Sequence, residues 1–143
     1  MKTINCWISL LFLGIYLGNA QDIFGEWKTI DDETGTTKSI VEIYESKGKV
    51  YGKVKKLLEK GREDAVCIKC EGDLKDKPVV GMTVVLGLKK DGDKYEGGKL
   101  FDPEKGKYYK GKIWLNPEDP NKLMVRGYIA FLYRTQTWLR VTD

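Results

Sequence analysis

Apolar residues along this chain recur at every second position far more often than at helical spacing. Short stretches rich in β-branched and aromatic residues are separated by clusters of turn formers. The pattern predicts eight strands: Gly25 to Ile30, Lys38 to Glu45, Lys49 to Leu58, Met82 to Lys89, Lys94 to Phe101, Lys107 to Leu115, Lys122 to Ala130 and Tyr133 to Val141. Separators such as Asp31-Asp32-Glu33-Thr34-Gly35, Ser46-Lys47-Gly48, Asp91-Gly92-Asp93 and Asn116-Pro117-Glu118-Asp119-Pro120-Asn121 supply Gly, Asn or Asp for positive φ, or Pro for fixed φ. No proline falls inside a predicted strand. Short connections make consecutive strands antiparallel neighbours. The expected fold is all-β: an antiparallel up-and-down barrel of about eight strands, or a closely related sandwich.

Alternation divides the last two strands into faces. Leu123, Val125, Gly127 and Ile129 oppose Met124, Arg126, Tyr128 and Ala130, while Gln136, Trp138 and Arg140 oppose Thr135, Thr137, Leu139 and Val141. One face of each lines the interior, and the pattern leaves open which. The long interval Glu59 to Gly81 carries Cys67-Ile68-Lys69-Cys70, with a turn of helix over Lys55 to Glu63 as a further expectation.

The first twenty residues stand outside this pattern. Lys2 is the only charge before Asp22, and the apolar run Trp7 to Leu17 ends at Gly18-Asn19-Ala20. This reads as a secretory signal peptide, residues 1–20, followed by one domain over residues 21–143. The run is shorter than the ~20 residues of a spanning helix; an uncleaved anchor is the alternative. The expected location is exported, periplasmic or secreted, with no transmembrane segment in the mature chain. In that setting an even pair of cysteines reads as a disulfide, Cys67 to Cys70. Idle thiols and a redox pair are the alternatives, and a redox pair lacks the helix that would lower a thiolate pKa.

Composition narrows the chemistry. The chain has 143 residues, 32% of them charged, and no histidine. That excludes Ser-His-Asp and Cys-His catalysis and the usual His-rich metal sites. The net charge of +4 drops to +3 without the leader, too mild to indicate a nucleic-acid partner. No cofactor or metal is expected, and the Asp91-Gly92-Asp93 turn lacks the further oxygen ligands of a calcium loop. Carboxylate pairs for glycoside chemistry would have to come from Asp31, Asp32, Glu42 or Asp102, each of which has an ordinary turn or cross-strand role available. The expectation is a protein that is not an enzyme.

Arginine is distributed differently from lysine. Three of the four arginines, Arg126, Arg134 and Arg140, fall within the last eighteen residues, among aromatics. An arginine amid aromatics can bind an anion inside an apolar cavity. The candidate binding residues are therefore Trp27, Tyr44, Tyr51, Arg126, Tyr128, Arg134, Gln136, Trp138 and Arg140. Three readings remain: a binder of a small amphipathic or apolar molecule, an interaction module with a filled barrel and an unknown protein partner, and a histidine-free hydrolase.

Two resemblances add to this. Gly25-Glu26-Trp27, with an arginine on the last strand, resembles the closing device of the lipocalin and fatty-acid-binding superfamily. There the resemblance implies a tryptophan plugging one barrel end under an arginine, either Arg140 or Arg134 here. Over most of the chain, Gly25 to Gly35, Ser39 to Tyr44, Tyr51 to Val54, Cys67 to Cys70 with Lys77 to Gly81, Phe101-Asp102-Pro103 with Gly106 to Tyr109, Val125 to Ile129 and Arg134 to Val141 resemble DUF2147, a family of small exported bacterial proteins. That resemblance implies a fold and an exported location, and no catalytic residue.

Overall fold

The computed structural model describes residues 21–142. The signal peptide expected over residues 1–20 lies outside them. Eight strands form: β1 (Gly25–Ile30), β2 (Thr37–Ser46), β3 (Lys49–Leu57), β4 (Thr83–Asp91), β5 (Lys94–Asp102), β6 (Lys107–Leu115), β7 (Lys122–Ile129) and β8 (Leu132–Arg140). Each pairs antiparallel with the next, and β1 pairs with β8 to close the barrel. Closure removes the free edges that would otherwise template aggregation. The strands begin and end within two residues of the positions that the turn chemistry marks. At Lys47-Gly48 both residues have positive φ (51° and 77°), the geometry that matches hairpin twist.

Alternation then decides the interior. Trp27, Val41, Ile43, Val50, Val85, Leu88, Ile113 and Leu123 are all buried. All but Val41 pack together toward one end of the barrel. Gly52 and Gly111 sit in this packing because nothing larger fits: a Cβ on Gly52 would lie 2.8 Å from Val85, and one on Gly111 2.3 Å from Leu100. Each fully buried aliphatic side chain here contributes about 1.5–3 kcal/mol.

Residues 58–82 form one long connection. The helical turn expected over Lys55 to Glu63 is absent: β3 continues to Leu57, since Leu57 pairs with Ser39 and extends the ladder. The connection is held by a Val66–Pro78 bridge, by hydrogen bonds from Cys67 N to Lys77 O and Val79 N to Ala65 O, and by the Cys67–Cys70 disulfide. Both cysteines are buried. The Lys69–Cys70 backbone lies so close to Gly106 that a Cβ there would overlap it, so the loop is seated on the β5–β6 turn.

Candidate functional site

The two ends of the barrel are built differently. At the closed end Trp27 is fully buried and donates from Nε1 to Ile23 O at 2.9 Å. The Arg140 guanidinium lies 4.3 Å from the Trp27 ring centre. It donates to Asp22 O (2.7 Å), Pro120 O (3.2 Å) and Phe24 O (3.3 Å), while Arg140 Nε is buried with no partner. The cation is thus offset by a ring face and a fan of carbonyls. Of the two arginines the sequence offers for this role, Arg140 takes it.

The opposite end is hollow. A cavity of about 980 Å³ opens there, well above the ~300 Å³ at which small-molecule pockets begin. Its walls include Val41, Val54, Leu57, Leu100, Val125 and Trp138. Polar groups interrupt them: Tyr109, Gln136 and the Thr29–Ser39 hydroxyl pair, whose oxygens are 2.6 Å apart. Gly127 lines the cavity with no crowding, its would-be Cβ 3.7 Å from Tyr109.

Charges form a rim. Asp32 accepts from Arg134 (2.8 Å) and Gln136 (3.2 Å), tying the β1–β2 loop to β8. Lys38 pairs with Glu104 of the β5–β6 turn and sits 3.8 Å from Asp31. Burial pushes the Lys38 ammonium down, but the Glu104 bond outweighs it and the pKa ends above its ordinary value. The Asp31 carboxyl is held below its usual range by the Thr34 and Glu33 amides, with a smaller share from Lys38.

The nine sequence-derived candidates separate into three places. Arg134, Gln136 and Trp138 line the cavity. Trp27 and Arg140 form the plug. Tyr44, Tyr51, Arg126 and Tyr128 lie on the opposite side of their strands from the buried residues Ile43, Val50, Val125 and Gly127's cavity face, and they do not line the cavity. An arginine among aromatics reads the same from sequence whether it faces in or out. The sequence missed Val41, Val54, Leu57, Leu100 and Tyr109 as cavity wall, since apolar alternation marks an interior without saying whether it is filled.

The carboxylates weighed for catalysis are each engaged locally. Asp31 caps the Glu33 and Thr34 amides, Asp102 caps those of Glu104 and Lys105, Asp32 pairs with Arg134, and Glu42 sits 3.7 Å from Lys55 on the outer surface. Among the described residues there is no cluster of three or more potential metal ligands, and no helix is long and apolar enough to cross a membrane.

Comparison with known proteins follows the same lines. The family model described as "Uncharacterized protein conserved in bacteria (DUF2147)" matches residues 25–140. A solved Helicobacter pylori structure, described as protein HP1028 belonging to the lipocalin family, superposes with a TM-score of 0.72 at 22% identity, covering 85% of this chain and 84% of that one. At that identity the likeness shows the fold. A tyrosine–tRNA ligase from Lactobacillus helveticus is 38% identical over 66 residues, 43% of this chain but 16% of the ligase.

Proposed function

The chain belongs to the DUF2147 family, and from that premise we propose that it is an exported, non-catalytic carrier holding a small amphipathic or apolar molecule in the open half of its barrel. The observation that carries this reading is the 980 Å³ cavity, open at one end, where an apolar wall of Val41, Val54, Leu57, Leu100, Val125 and Trp138 stands beside polar groups and a charged rim. The apolar part of the ligand lies against Val41, Val54, Val125 and Trp138, and its polar end meets Gln136, Tyr109 and the Thr29–Ser39 pair. The head group need not be an anion. Arg134 already has Asp32, and Arg140 has its carbonyls, so neither cation depends on a ligand to offset its desolvation. Export is supported by the disulfide, which persists in an oxidising compartment.

The test uses N-phenyl-1-naphthylamine, an apolar dye whose emission rises on leaving water. Wild-type protein is expected to bind it saturably. Gly127→Phe, which adds a ring where there is now space, is expected to abolish binding with little change in Tm. No saturable binding by the wild type, or unchanged binding by a folded Gly127→Phe, overturns the reading.

A further inference from the structure

The outer surface of β5, β6 and β7 is chemically unlike the rest of the barrel. Strand alternation places Lys94, Lys99, Lys110, Lys112 and Arg126 there, against two carboxylates gathered at the β4–β5 hairpin: Glu96, which pairs with Lys112 at 3.0 Å, and Asp91, the ladder partner of Lys94, which is hydrogen-bonded to Glu96. Aromatic rings lie between these cations. The Arg126 guanidinium is held 4.9 Å from the Trp114 ring centre and 4.3 Å from that of Tyr133, with Nε donating to Thr135 Oγ1 at 2.8 Å. Lys94 covers Trp114 at 5.0 Å, and Lys99 covers Tyr108 at 5.8 Å. Among the described residues, Arg126, Lys94, Lys99 and Lys110 form no ion pair.

This row leads to the β7–β8 hairpin. Ile129 pairs with Leu132, so Ala130-Phe131 is a two-residue turn. Turns of this kind favour Asn-Gly; here Ala130 takes φ +52° and Phe131 is 89% exposed. Ile129, Leu132 and Tyr133 are each more than 60% exposed. A soluble surface usually avoids such a cluster.

Excess positive charge, Trp and Tyr beside it, and a protruding apolar tip are the three components of an interfacial membrane anchor. We propose that this face seats the protein on an anionic lipid bilayer, with the Phe131 tip in the headgroup–acyl boundary and Arg126, Lys99 and Lys110 against lipid phosphates. Arg126 is preorganised for this, because its two rings fix the guanidinium plane before a phosphate arrives. The surface stands apart from the cavity reading, and an empty cavity would leave it intact. Ile129, Leu132 and Tyr133 also line the cavity mouth, so a seated barrel presents its opening to the lipid.

Co-sedimentation of the mature protein with vesicles tests this. It is expected to partition onto phosphatidylcholine vesicles containing phosphatidylglycerol and not onto phosphatidylcholine alone, and to be released by salt. Phe131→Ser and Arg126→Gln are each expected to weaken partition about tenfold or more. Lys56→Gln, an exposed charge on β3, is expected to leave it unchanged. Phe131→Trp provides a readout that does not depend on loss: its added emission shifts to the blue on anionic vesicles. Equal partition onto neutral vesicles, no partition, an effect of Lys56→Gln as large as that of Arg126→Gln, or no blue shift overturns the proposal. Tight binding of a single-stranded oligonucleotide in place of vesicles, which bases stacking on Trp114 and Tyr133 would produce, overturns it too.

Discussion

The closed and open halves of the barrel use the same strands and the same alternation, yet one is a packed core and the other a cavity. The difference lies in what the inward positions carry. Toward the closed end Trp27, Ile43, Leu88, Ile113 and Leu123 interdigitate, and Gly52 appears where Val85 and Ile43 occupy the space. Toward the open end polar inward positions, Ser39, Tyr109 and Gln136, stand among the apolar wall residues, and of the ladder partners Gly111 and Gly127 the first is filled by Leu100 while the second leaves room that nothing fills. Glycine thus has opposite meanings, close packing at Gly52 and Gly111 and open volume at Gly127, even though Gly111 and Gly127 are paired across β6 and β7.

Matched substitutions can break this comparison. The largest expected effect is Trp27→Ala, which removes a fully buried ring and the Arg140 stack, at about 3–5 kcal/mol. Trp138→Ala, at the cavity wall, is expected to cost about 2 kcal/mol. Denaturant unfolding of both decides: similar losses would mean that the halves share one packing regime. Next is the glycine pair. Gly111→Ala drives a Cβ into Leu100 and is expected to cost about 1–3 kcal/mol, whereas Gly127→Ala should stay within about 0.5 kcal/mol. Equal costs would erase the distinction.

The smallest effect is electrostatic and confined to the rim. The Asp31 pKa is lowered in the folded protein. Its contribution is therefore present above the ordinary carboxylate pKa and is lost as pH falls through the lowered value. Asp31→Asn is expected to melt slightly below wild type at neutral pH, with the gap closing in strong acid. A gap that persists there would assign the loss to the β1–β2 turn itself.

Much of the fold was legible from turn chemistry alone. Asp91-Gly92-Asp93 and Ser46-Lys47-Gly48 fix hairpins whatever faces the core, because φ is a local constraint. The tryptophan plug was legible through the resemblance of Gly25-Glu26-Trp27 to a lipocalin closing device, which left Arg134 and Arg140 both open; the β1–β8 pairing of Trp27 with Arg140 decides between them. The inner face of β7 and β8 was not. Leu123, Val125 and Ile129 compete with Met124 and Tyr128, and Trp138 and Arg140 with Leu139 and Val141, so both faces carry apolar bulk. Arg126 shows the cost: it lies half-buried outside the barrel, and there too it finds aromatic neighbours, the Trp114 and Tyr133 rings. The fold of the 58–82 connection was equally hidden, because its anchors are backbone contacts to Gly106 rather than side-chain pattern.

The β1–β8 seam has a kinetic meaning as well. Every other pairing joins strands adjacent in sequence, while the seam rests on two residue pairs, Trp27 with Arg140 and Lys28 with Leu139, and Arg140 reaches Phe24 across 116 residues. Nearest-neighbour pairings close short loops, and the seam closes the longest one, so it carries the largest single loop-closure cost of the fold. Until it occurs the chain is an open curled sheet with β1 and β8 as bare edges, the form most exposed to pairing with another molecule. The plug that holds the closed end therefore also ends the chain's exposure to aggregation, and Trp27→Ala would lengthen that exposure as well as weaken the barrel.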